Sequence, residues 1–207
     1  MSTQVLSASA PNAIATAVDL LQRGGIVAIP TDTVYGIGAL LTDAAAIERL
    51  YAVKGREHTK SIAVLLAGVE QLPQVAQGAS PAALRLAARF WPGALTLVVP
   101  RLPSLPSALS QTDTVGVRVP NHPLALQLLT ASGPLAVTSA NLSGQPDALT
   151  AQDVLAQLEG RIDLVLDGGP TPGAVPSTVV DTIASPPRML RAGPISESEI
   201  LAASQAG

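Results

Sequence analysis

Four polar clusters interrupt an otherwise apolar chain of 207 residues. The first is Lys54-Gly55-Arg56-Glu57-His58-Thr59-Lys60, which holds the chain's only two lysines beside one of its ten arginines. Three cations within seven residues suit a polyanion such as a nucleotide triphosphate, and a compact ammonium on a flexible stem does a job that a guanidinium fork does not. His58 reads as a solvated loop residue. The second cluster, Pro30-Thr31-Asp32-Thr33-Val34-Tyr35-Gly36-Ile37-Gly38, packs three hydroxyls and a carboxylate into five residues before two glycines, the makings of a tight hydrogen-bonding loop. The third is Arg118 within Val115-Gly116-Val117-Arg118-Val119: the valines share one face of a strand, leaving Gly116 and Arg118 on the other, where glycine lets a ligand approach. The fourth gathers Thr138-Ser139-Ala140-Asn141, Ser177-Thr178 and Arg191. Cations and hydroxyls dominate, with no paired carboxylates at catalytic spacing and no Ser/His/Asp relay. That inventory points to a reaction without a protein nucleophile, in which cations and hydrogen-bond donors orient anionic reactants.

Known nucleotide motifs do not fit. The lysine stretch lacks the Gly-x-x-x-x-Gly-Lys-Ser/Thr of a P-loop, and the Gly36/Gly38 spacing lacks the third glycine of a dinucleotide fingerprint.

The elements that must carry these clusters alternate. Residues 12–23 predict a helix with Ile14, Val18 and Leu21 on one face, stopped by Gly24-Gly25. Residues 26–30 predict a buried strand. Asp43 caps a second helix whose Ile47, Leu50, Tyr51 and Lys54 fall at spacings of three and four, so Lys54 emerges at the end of the buried face. Strands are expected at 62–66, 95–99, 115–119, 134–138, 162–166, 178–183 and 188–191. Helices are expected from Ser80-Pro81 to near Phe90, from Pro123 to about residue 130, after Thr150, and after Ser196. This interleaving defines an α/β class, and the two places where adjacent strands lack a helix between them imply a mixed sheet. One domain over residues 1–207 is expected, with its core at about 12–196.

Composition bounds the function. Hydrophobic residues make up 47% and charged residues 13%, and the aromatics number only four, so Ala, Val, Leu and Ile must build the core. A net charge of −3 argues against wholesale binding of duplex nucleic acid while leaving room for a local basic cleft. With no cysteine, disulfide and thiolate chemistry are excluded. No run approaches a membrane span, and the first residues lack the layout of a signal peptide, so a cytoplasmic protein with no membrane partner is expected.

Taken in order, Gly25 to Gly36, Lys54-x-Arg56, Trp91-Pro92-Gly93, Val117-Arg118-Val119-Pro120, Ser139-Ala140-Asn141 and Ser177-Thr178-Val179-Val180-Asp181 resemble the YrdC/Sua5 family of L-threonylcarbamoyladenylate synthases. The resemblance runs from about residue 12 to 196 and is closest to the family's short, single-domain form. It implies a single-domain α/β fold, a twisted mixed β-sheet flanked by helices with a concave, positively charged groove. It also implies an activity: L-threonine, bicarbonate and ATP, with Mg²⁺ accompanying the ATP and no protein metal site, joined into threonylcarbamoyl-AMP with release of pyrophosphate. A tRNA threonylcarbamoyl transferase complex then passes the group to adenosine 37 of tRNA. Carried over residue by residue, Lys54 and Arg56 are the catalytic pair and contact the phosphates, while Ser139, Asn141 and Arg191 complete the ATP site. Thr31, Thr114, Arg118 and Ser177 bind threonine, with Arg118 on its carboxylate. Where many relatives continue with proline after the arginine, this chain has Glu57-His58-Thr59-Lys60-Ser61, which leaves the roles of His58 and Lys60 open. Two other readings stand beside this one: a module binding double-stranded RNA or tRNA, and a carbamoyl-transfer relative.

Overall fold

The structure is a computed structural model that describes residues 2–55, 61–173 and 175–205. Ten strands form one sheet in the order β1-β8-β2-β3-β7-β4-β6-β5-β9-β10. They span Gln4–Ser7 (β1), Val27–Ile29 (β2), Gly36–Leu40 (β3), Ala63–Leu65 (β4), Leu95–Pro100 (β5), Thr114–Arg118 (β6), Leu135–Ser139 (β7), Leu164–Asp167 (β8), Thr178–Asp181 (β9) and Arg188–Arg191 (β10). The sheet is mixed, as the alternation implied: β1/β8, β2/β8, β4/β6 and β5/β9 run parallel and the other neighbours antiparallel. The helices are Ala13–Gln22 (α1), Ala44–Lys54 (α2), Pro81–Phe90 (α3), Pro123–Ser132 (α4), Ala151–Leu158 (α5) and Glu197–Gln205 (α6).

Local chemistry sets the helix ends. The Asp43 carboxylate accepts from the Ala46 N–H at the start of α2, and Gly55 closes that helix in the left-handed region at φ 59°. Thr150 and Asp153 form a reciprocal capping box on α5. Ser80 caps α3, with Pro81 in its first turn.

The helices divide unequally between the two faces. On one face, α1 and α4 bury Ala13, Ala17, Leu21, Leu124, Leu128 and Leu129 against Val27, Ile29, Leu135, Leu164 and Leu166. Alanines rather than Ile14 and Val18 make the closest contacts of α1, so the buried face is rotated from the predicted one and the two larger residues pack at its flank. A larger core lies on the opposite face, against which α2, α3 and α5 pack, and there Leu95, Leu97, Val99, Val115, Val117 and Val119 are buried. Alternation then turns Thr96, Val98, Gly116 and Arg118 onto the α1/α4 side. These helices cover only the β8-β2-β3-β7 half, so the floor over β4, β6, β5 and β9 is left open.

Candidate active site

That open floor is the base of a cavity of about 330 Å³, lined by Ala63 and Leu65 of β4, Thr96 and Val98 of β5, Gly116 and Arg118 of β6, Val137 and Ser139 of β7, and Val179 of β9. The loop between β2 and β3 forms one wall with Thr31, Thr33, Val34 and Tyr35, and Pro176, Ser177, Arg191 and Asp147 complete the rim.

Arg118 organises the wall. The strand carrying it is central, flanked by β4 and β5, so its guanidinium is buried, and the side chain is 7% exposed. It donates from Nε to the Gly93 carbonyl (2.9 Å), from one terminal nitrogen to Thr33 Oγ1 (3.0 Å) and from the other to Asp32 Oδ1. A guanidinium has five N–H groups, so two have no partner among the described residues. From Thr33 the bonds continue into the loop: Thr33 Oγ1 lies 3.0 Å from Thr31 Oγ1, which donates to the Val34 carbonyl at 2.7 Å. Burial lowers the pKa of Arg118 from its ordinary value, and the charge of Asp32 and its hydrogen bond act in the opposite sense. Asp32 is thus the carboxylate that offsets the burial of this cation, and its Oδ1 also accepts the Asn121 N–H (3.0 Å).

A second group sits across the floor. Ser177, 4% exposed, shares a hydroxyl–hydroxyl bond of 2.8 Å with Thr96. Arg191 donates from Nε (3.1 Å) and a terminal nitrogen (2.9 Å) to the Ser177 carbonyl, and from the same terminal nitrogen to Ser177 Oγ (3.1 Å). Gly193 makes this contact fit, since a Cβ there would lie 2.3 Å from the Thr178 nitrogen.

Lys54 ends α2 with its residue 4% exposed. Its ammonium donates to the carbonyl of Ser139 and to the carbonyl (2.7 Å) and Oδ1 (3.2 Å) of Asn141, with Ser139 Oγ at 3.3 Å. Ser139 Oγ in turn donates to Asn141 Oδ1 (2.6 Å). The lysine thus holds the turn after β7 from behind the cavity.

Thr31, Arg118, Ser139, Ser177 and Arg191 therefore line one cavity, with Lys54 and Asn141 bonded to Ser139 directly behind it. Thr114 is not brought there. It sits on the floor side of β6 but at the far end of the strand, its hydroxyl 2.8 Å from that of Thr112. Arg56, His58 and Lys60 lie outside the described residues. Sequence reasoning missed Thr96, concealed within an apolar strand, and Asp147, in a polar turn. Gly116 lies on the floor beside Arg118, as the alternation of β6 implied, and Tyr35 of the second cluster is a buried phenol bonded to the Gly169 carbonyl (2.7 Å), its pKa raised to about 12 chiefly by burial.

An α/β protein whose mixed sheet leaves part of one face without a covering helix, and gathers two arginines and several hydroxyls around a cavity there, has a cleft suited to small anionic ligands without a P-loop or a dinucleotide fold. The chain belongs to the Sua5/YciO/YrdC family, whose model, described as telomere recombination, matches residues 19–193. It is 42% identical over 201 residues to a threonylcarbamoyl-AMP synthase of Bacillus subtilis, covering 96% of this chain and 58% of that protein. It is 40% identical to a putative threonylcarbamoyl-AMP synthase of Mycobacterium tuberculosis, covering 90% and 87% of the two. The fold matches a crystal structure of Pyrococcus abyssi Sua5 complexed with L-threonine with a TM-score of 0.92 and 37% identity, covering 98% of this chain and 61% of that one. The chain thus spans about three-fifths of the length of two of these relatives.

Proposed function

We propose that this chain joins L-threonine, bicarbonate and ATP into L-threonylcarbamoyl-AMP and pyrophosphate, as the names of its relatives suggest. The observation that carries the proposal is Arg118. It is a buried, ion-paired guanidinium on the cavity floor with two N–H groups that have no partner among the described residues, beside the hydroxyls of Thr33 and Thr31 and across from Ser177 and Arg191. A planar fork of this kind takes a carboxylate in two parallel bonds, and the surrounding hydroxyls suit the polar remainder of an amino acid.

The chemistry needs no enzyme nucleophile. The threonine amine takes up bicarbonate with loss of water to give an N-carboxylate. One oxygen of that group attacks the α-phosphorus of ATP, and pyrophosphate leaves. The protein's task is to hold the anions together and offset the charge that builds on the phosphorus. Arg191 and Ser139 line the cavity and would take the nucleotide side, and Lys54 fixes Ser139 and Asn141. In this account Lys54 and Arg56 serve the phosphates, with Lys54 leaving its carbonyl partners in part when they arrive. Asp147 is the single carboxylate among the described lining residues, too little for a metal cage, so Mg²⁺ belongs to the proposal as the ion that arrives on the triphosphate.

We place the reaction in the cytoplasm, where a tRNA threonylcarbamoyl transferase complex would take the product to adenosine 37 of tRNA. No helix among the described residues is long and apolar enough to cross a membrane. The test is pyrophosphate release with ATP and Mg²⁺, leaving out threonine and bicarbonate in turn. Release that needs both substrates supports the synthase. Release that needs neither, or steep salt-dependent RNA binding without turnover, overturns it.

A further inference from the structure

Resting on the synthase reading, we propose that Thr96 and Gly116 select threonine among amino acids, Gly116 by opening a methyl-sized hollow in the floor and Thr96 by dividing that hollow into an apolar and a hydroxyl side. The register places them. Leu97 pairs with Val117 and Val98 with Gly116, which puts Thr96 across the ladder from Arg118 and diagonal to Gly116. On the other side of β6, Val64 pairs with Val117, which puts Ala63 beside Gly116. The Thr96 hydroxyl is held by Ser177 at 2.8 Å, and this bond fixes the rotamer so that the Thr96 methyl turns the other way. A Cβ built on Gly116 would come within 3.1 Å of that methyl and 3.8 Å of Ala63 Cβ. Only glycine keeps the hollow open, and its rim is apolar: the Thr96 methyl, Ala63 and Val98.

One end of the hollow is therefore a methyl wall and the other a pair of hydroxyls, with the remaining N–H groups of Arg118 one strand position along. Threonine's β-carbon carries the same two substituents. With its carboxylate on Arg118, its methyl rests over Gly116 against Thr96 Cγ2, and its hydroxyl reaches Ser177 Oγ. Serine leaves the hollow empty, valine leaves the hydroxyl pair without a partner, and L-allo-threonine exchanges the two groups. A single methyl is worth about tenfold or somewhat more in such a pocket, and a lost buried hydrogen bond more than that.

The experiment measures Kd by calorimetry for L-threonine, L-serine and L-allo-threonine, alongside adenylate production, in the wild type, Gly116→Ala and Thr96→Ser, with thermal unfolding to verify folding. Thr96→Ser keeps the bond to Ser177 and removes only the methyl. The expected result is that the wild type prefers threonine over both analogues by about tenfold or more. Both variants should shrink that preference to within about threefold by weakening threonine while serine changes little. Equal weakening of all three amino acids, or an unchanged preference in both variants while adenylate is still made, overturns this assignment alone. A wild type that prefers threonine, loses the preference in both variants and yet makes no adenylate supports the hollow and overturns the synthase reading.

Discussion

Asp32 and Arg118 form a side-chain ion pair beneath the cavity wall, 13% and 7% exposed respectively, on elements 86 residues apart in sequence. The loop after β2 supplies the anion and the centre of the sheet the cation, so the pair ties the loop wall of the cavity to the sheet. Removing one partner of a buried pair leaves the other charge uncompensated. Asp32→Ala should therefore lower stability by about 3–5 kcal/mol, and Asp32→Asn, which keeps an acceptor for both N–H groups, by less. Urea unfolding of the two variants checks the order. Equal midpoints for both variants and the wild type would contradict it.

Lys54 and Arg56 are the two cations that the proposed reaction assigns to the phosphates, and Lys54 also holds the turn after β7. Lys54→Ala strips the carbonyls of Ser139 and Asn141 of their donor, at a cost of about 1–3 kcal/mol for buried acceptors left unpaired. Lys54→Ala and Arg56→Ala should each cut adenylate formation at least about tenfold, which is roughly 1.4 kcal/mol. Steady-state rates set beside melting curves separate the effects, and full activity in both variants would remove them from the site.

His122 gives the fold a pH dependence. Its Nδ1 is buried without a hydrogen-bond partner among the described residues, and burial lowers its pKa from 6.5 in the folded protein, with Asp32 acting in the raising sense. A base whose folded pKa is depressed binds its proton more readily unfolded. Its contribution is fully present above 6.5 and is lost as pH falls through that value toward the folded pKa. Urea midpoints taken from about pH 7.5 down to about pH 5.5 should fall in the wild type and fall less in His122→Asn. Identical slopes would contradict the assignment.

Gly193 is a steric rather than a chemical requirement. A Cβ there meets the backbone of Ser177 and Thr178 at 2.6 and 2.3 Å, which no side-chain rotation can relieve. Gly193→Ala should cost about 1–3 kcal/mol and displace Arg191 from Ser177, raising the KM for substrates more than it lowers kcat. Substrate-saturation curves on this variant give both constants, and wild-type kinetics would contradict the contact.

How much of this was legible in the sequence follows from what each element presents. The alternation of Val115, Val117 and Val119 with Gly116 and Arg118 announced a strand with one buried and one functional face, and that is how β6 sits. Asp43, Ser80 and Thr150 announced their helices by capping chemistry. β1 gave no such signal, because Gln4–Ser7 pairs with β8 through backbone bonds while its side chains are largely exposed. β3 was concealed for the opposite reason. Gly36 looks like a turn residue, but it lies in a strand whose close approach to Val137, 2.7 Å from where its Cβ would be, admits no side chain. The site residues followed the same logic: charged and paired hydroxyl clusters stood out, whereas Thr96 is brought into the cavity only by the register of β5 against β6 and its bond to Ser177, neither of which is written in local sequence.

In the proposed reaction one active site assembles a carbamate from threonine and bicarbonate and joins it to the adenylyl group of ATP. Mass spectrometry of the nucleotide products, made with ¹³C-bicarbonate, unlabelled threonine, ATP and Mg²⁺, tests it most directly. The expected product is a threonylcarbamoyl-AMP heavier than its unlabelled counterpart by the one labelled carbon, formed together with pyrophosphate and absent when threonine is left out. AMP or ADP without the labelled adduct, from folded protein that binds threonine, would contradict it.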